Sequence, residues 1–138
     1  MKRKTGQTKT VGFQFGIRRS FPVFAEEAWA FLFSEQGIEI WLGKLNQELA
    51  LKEPFVTDKG IEGMIRVFKP QSHLRMAWKR RGWENTSTLQ LRIISGKDKT
   101  TISFHQEKLL DEYQREEMKN HWKSVMDKLS ASIKTLKE

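Results

Sequence analysis

The last quarter of the chain constrains the fold most, because it carries one long apolar stripe that has to be buried. Met118, Trp122, Val125, Met126, Leu129, Ile133 and Leu136 recur every three or four residues, which gathers them on one face of an α-helix. Glu116, Lys119, Asn120, Lys123, Asp127, Ser130, Lys134 and Glu138 occupy the other side, so one face is for packing and one for water. The helix is expected over Asp111 to Leu136. Asp111 suits the N-cap, with Gln114 reaching back to the cap's own N–H. Glu112, Glu116 and Glu117 suit the positive end of the helix dipole, and Lys134 and Lys137 the other. A stripe this long needs a broad apolar partner, and the preceding sequence offers strands.

Val11, Phe13, Phe15 and Ile17 alternate with Gly12, Gln14, Gly16 and Arg18, the period of a strand with one buried face. After Pro22, Glu26 to Phe33 predicts a short helix carrying Trp29, Leu32 and Phe33. Ser34 predicts the cap of a second, bearing Ile38, Trp41 and Leu42 and ending at Gly43. Leu49 to Val56 is expected as a strand, with Pro54 making its later part an edge or bend. Ile61 to Phe68 is the next strand, apolar on both parities, so its inward face stays open. Leu74, Met76 and Trp78 then alternate cleanly, as do Leu89, Leu91 and Ile93, and a turn at Ser95–Lys99 folds back onto Ile102 and Phe104. That makes six strands, two short helices after the first strand and one long C-terminal helix, an α+β arrangement.

The chain's 138 residues suffice for one domain with its own core. Residues 1–10, basic and almost without apolar side chains, are expected to be loosely ordered, and 11–138 to form the single domain. There is no cysteine, hence no disulfide, thiolate metal site or cysteine nucleophile, which suits a reducing cytoplasm. No apolar run is long enough to cross a bilayer, so no membrane insertion is expected. The formal net charge of +8 comes from scattered lysines and arginines. Dispersed charge favours a solvated surface over a specific nucleic-acid interface.

The order of elements and several short motifs carry a resemblance. Glu26-Glu27-Ala28-Trp29, Trp41-Leu42, Gly60 and Gly63, Pro70 with Leu74 and Trp78, Thr101 to Glu107, and His121-Trp122 with Leu129 together resemble the START-like or SRPBCC superfamily. Within it they resemble the branch similar to the activator of the ninety-kilodalton heat-shock chaperone ATPase. His121-Trp122 stands where many relatives have Gly-Trp. The resemblance implies a helix-grip fold, in which a curved antiparallel sheet wraps the long helix and leaves a cavity between them.

Ten large residues on predicted inward faces are the candidate ligand-binding residues: Phe15, Trp29, Trp41, Met76, Trp78, Leu91, Phe104, Met118, Trp122 and Met126. Singly each is ordinary core; together they suit an apolar pocket. Catalytic chemistry has no motif behind it. There is neither a nucleophile elbow nor a phosphate loop, and the three histidines, His73, His105 and His121, lack metal-ligand spacing, so no cofactor or metal is expected. The function expected is a non-enzymatic module for a small hydrophobic or aromatic ligand. The alternatives are a protein-interaction module of chaperone-regulator type and an enzyme acting on an apolar substrate in the same cavity.

Overall fold

The structure, a computed structural model, describes residues 7–8 and 12–136. Its strands are β1 (Gln7–Thr8), β2 (Gly12–Phe21), β3 (Pro54–Val56), β4 (Ile61–Lys69), β5 (His73–Arg80), β6 (Ser87–Gly96) and β7 (Lys99–Leu109). The helices are α1 (Ala25–Leu32), α2 (Glu35–Trp41) and α3 (Glu112–Leu136). All pairings are antiparallel, in the order β1-β2-β7-β6-β5-β4-β3. The six expected strands and three expected helices are present, as a curved sheet closed on one face by α3. A two-residue strand β1 adds to the β2 edge. Val11 lies outside the described residues, as does the N-terminal segment 1–10 apart from Gln7–Thr8.

α3 has 25 residues, roughly 37 Å at 1.5 Å per residue. Gln114 N–H donates to Asp111 Oδ1 at 2.8 Å, the expected cap. The Gln114 side chain reaches one residue further back than expected, accepting from Leu110 N–H at 2.9 Å. Met118, Trp122, Val125, Met126, Leu129 and Ile133 are buried. Leu136, placed on the same stripe by its spacing, is exposed.

Two expectations change. The strand expected over Leu49 to Val56 is only Pro54–Val56. Pro54 sits on the outermost strand, where its missing N–H deprives no neighbour, while Leu49–Glu53 belong to a loop. The undecided face of β4 is settled by a bulge: Ile65 pairs with Met76 but Val67 with Arg75, so Arg66 is an extra residue. Ile61 and Ile65 are buried before it, and beyond it Phe68 takes the inward parity opposite buried Leu74. One inserted residue puts apolar side chains on both parities.

Candidate functional site

The ten candidate residues are mostly interior and touch one another. Met76, Trp78, Leu91, Met118, Trp122 and Met126 have no exposed surface, Trp41 and Phe104 have almost none, Trp29 is buried, and Phe15 is half-buried. Phe104 stacks on Trp122 with centroids 4.5 Å apart, and Trp122 meets Trp78 at 6.2 Å. Trp41 contacts Phe104 at 6.2 Å.

A polar thread crosses this apolar centre. Trp122 Nε1 donates to Gln106 Oε1 (2.8 Å), Gln106 Nε2 to Ser87 Oγ (2.9 Å), and Ser87 Oγ to the Trp78 carbonyl (2.6 Å). Each group is buried and each is matched, so the thread fixes the rotamer of Trp122 and ties α3 to β7, β6 and β5. Gln106 carries no apolar signal, and its inward position follows only from the parity of Ile102 and Phe104.

His121 lies at the edge of the stripe beside Trp78 and Trp122. Arg80 Nη2 is 3.1 Å from His121 Nδ1, and since a guanidinium can only donate, Nδ1 accepts and the ring proton sits on Nε2. Arg80 also pairs with Glu117 and lies 5.8 Å from the centre of the Trp78 ring. Burial first, then the charges of Arg80, Lys59 and Lys128, push the His121 pKa down to about 4. The neutral His121 Nε2–H and Trp78 Nε1–H are buried without a partner among the described residues. No group of three or more His, Asp or Glu able to hold a metal occurs among those residues.

An opening lies beside this core. A cavity of about 790 Å³ lies between α2, the loop 43–53 and the inward end of β4. Phe33, Ile38, Leu45, Leu49, Ile65 and Phe68 line its apolar side, and Glu35, Glu39, Lys44 and Gln47 stand among its polar residues. None of the ten candidates lines it directly, but two stand behind its wall. Trp29 packs on Phe33 (4.5 Å) and on Phe68 (5.6 Å), and Trp41 meets Phe33 at 5.9 Å.

The loop is strapped at both ends. Lys44 N–H donates to Asp58 Oδ1 (2.9 Å) and Asp58 N–H to the Lys44 carbonyl (3.0 Å), while Lys52 N–H donates to the Ile65 carbonyl (2.8 Å). Gly43, at φ +127, turns the chain out of α2, and a Cβ there would meet Thr57 at 2.8 Å. The sequence does not mark this site plainly, because Leu49 and Leu51 have the alternation of a strand. The available signal was the polar run Asn46-Gln47-Glu48 after Gly43, a loop composition.

A family model described as "Activator of Hsp90 ATPase homolog 1-like protein" matches residues 22–134. The chain belongs to this family. Its match runs from Pro22 through nearly all of α3 and so includes the pocket, the polar thread and His121. Among solved structures, CalU16 from Micromonospora echinospora is similar at TM-score 0.79 and 21% identity, over 91% of this chain and 80% of that one. DynU16, from the dynemicin biosynthetic locus, reaches TM-score 0.80 at 16% identity over 88% of this chain, which spans only 47% of DynU16. An HSP90 activator from Plasmodium falciparum has TM-score 0.68 and 20% identity over 80% and 88% of the two chains. At these identities the likeness shows a shared fold. Among curated proteins nothing matches the chain. No helix among the described residues is long and apolar enough to cross a membrane.

Proposed function

We propose that this family member is a non-enzymatic module that holds a small hydrophobic or aromatic molecule, and that the molecule sits in the cavity under the loop 43–53. The observation that carries this is the cavity itself: about 790 Å³, with Phe33 and Phe68 meeting edge to face at 5.4 Å in its wall and a polar rim. Ligand sites have this size and this mixture of apolar wall and few orienting polar groups. A flat aromatic ring can lie against Phe33 and Phe68, while Lys44 and Gln47 at the rim can orient a polar substituent. Trp29 and Trp41 form the second layer of that wall. Phe15, Met76, Trp78, Leu91, Phe104, Met118, Trp122 and Met126 supply the rigid floor between sheet and α3. A cytoplasmic setting suits a chain without cysteine.

The test is native mass spectrometry of the freshly purified protein, with denaturing identification of anything retained. A retained apolar small molecule is expected, lost when Ile38→Trp fills the cavity. A bare mass, with tryptophan fluorescence unmoved by added aromatic compounds, would remove the reading.

A second reading, a protein-interaction module of chaperone-regulator type, draws on the family description and on exposed Leu51 and Val56 near edge strand β3. A complex with a ninety-kilodalton heat-shock chaperone, weakened by Val56→Asp and indifferent to Ile38→Trp, would favour it.

A further inference from the structure

The outer face of the sheet, turned away from α3, carries a chemically different feature that does not depend on the pocket. Arg18 of β2, Ser103 of β7, Arg92 of β6 and His73 of β5 are register partners in one cross-strand row. The next row runs Gly16, His105, Gln90 and Arg75. These side chains point outward, since the alternating residues Ile102, Phe104 and Gln106 of β7 and Leu89, Leu91 and Ile93 of β6 are buried. Gly16 contributes no side chain to its row, and a depression of about 440 Å³ opens there, lined among others by Arg18, Arg92, Ser103, His105 and Gln90.

Adjacent strands lie about 4.8 Å apart, so the stems of Arg18 and Arg92 rise roughly 10 Å apart with Ser103 between them. Neither arginine is in an ion pair among the described residues. The nearest acid of this face, Glu107, lies against the His105 ring (3.5 Å), and the other ring nitrogen of His105 is 3.1 Å from Gln14 Oε1. His73, at the end of the row, feels the same positive field. Burial first, then Arg92, Lys69 and Arg75, hold it below the ordinary histidine range.

The geometry points to a phosphate-monoester site on the outer sheet face, in which Arg18 and Arg92 grip a tetrahedral dianion from two sides over the Ser103 hydroxyl, with the Gln90 amide as a further donor. Two guanidinium forks suit a group carrying about −1.5 to −2 charge near neutral pH. A carboxylate or a phosphodiester, with one charge, would match only one of them. Apart from Ile17 and Ile94 the lining side chains are polar, and beside them stand Ser20 and Thr101, whose hydroxyls are 3.0 Å apart. That suits a soluble phosphorylated molecule rather than a bilayer.

The experiment is a ¹H–¹⁵N titration of the full chain with inorganic phosphate near neutral pH at constant ionic strength, and with dimethyl phosphate as the singly charged control. Saturable shifts centred on Arg18, Arg92, Ser103 and His105 are expected. Affinity should fall about tenfold or more for dimethyl phosphate and for the R18Q/R92Q protein, the loss that goes with removing charged hydrogen bonds, and R18K/R92K should recover part of it. Both arginines project from the sheet's outer face, so the folded spectrum should persist in the variants and keep the comparison valid. Shifts that never saturate, spread evenly over the surface lysines or survive R18Q/R92Q would overturn the site. So would co-sedimentation with phosphatidic acid vesicles in the absence of any effect of free phosphate.

Discussion

At the scale of single residues, the core is decided by polar atoms as much as by apolar ones. Trp122 is held by stacking on Phe104 and by its bond to Gln106 Oε1. Trp122→Phe keeps most of the apolar area but leaves that oxygen buried and unpaired, and should cost about 1–3 kcal/mol, read as a fall in the urea midpoint. His121 gives the pH dependence. Its folded-state pKa of about 4 lies below the unfolded value near 6.5, so the unfolded chain binds the extra proton. Stability should therefore be level above about pH 6.5 and decline as pH falls towards 4, by up to about 2 kcal/mol at pH 5. Arg80, Lys59 and Lys128 set the opposing field, and Glu117 moderates it by pairing with Arg80. Denaturation midpoints from pH 7.5 to 5 should show that decline in the native protein and less of it in His121→Asn. A flat native profile would contradict the buried neutral imidazole.

At the scale of elements, the sequence was legible where one residue type repeats on one period. The α3 stripe and the alternations of β5, β6 and β7 depend only on local geometry, and every inward residue named from them is buried except Leu136. The face of β4 was not legible, because the bulge at Arg66 is an event between two strands. The loop 43–53 was not legible for a similar reason: its shape is set by bonds to Asp58 and Ile65, far along the chain. Nine of the ten candidate residues are buried and Phe15 is half-buried, but whether buried aromatics enclose space depends on how closely they approach. The α1–α2 junction is equally tight. A Cβ on Gly37 would come within 1.9 Å of the Phe31 carbonyl oxygen. Gly37→Ala should push α2 off α1, cost about 1–3 kcal/mol as overpacking does, and disturb the pocket that α2 borders. Met126→Trp, in the filled interior, should cost a similar amount by the same mechanism and leave the pocket's affinity unchanged, which thermal melts and ligand titration would separate.

At the scale of the whole molecule, the sheet has two faces with different chemistry. The inner face is covered by α3 and closed by aromatic packing, with its opening displaced to the α2 side. The outer face is basic and at least partly exposed, with Arg18, Arg75 and Arg92 on it. The net charge of +8 is scattered along the chain, so binding to duplex DNA should be weak and should vanish as salt rises; tight, sequence-selective binding at physiological salt would contradict that. In the proposed function an apolar ligand enters under the loop 43–53 rather than between α3 and the sheet. A ¹H–¹⁵N titration with 1-naphthol tests it most directly. Saturable shifts are expected at Phe33, Ile38, Leu45, Leu49 and Phe68, abolished in Ile38→Trp, while Met118, Trp122 and Met126 move little. Shifts centred on α3 and β7 that persist in Ile38→Trp, or no shifts at all, would contradict it.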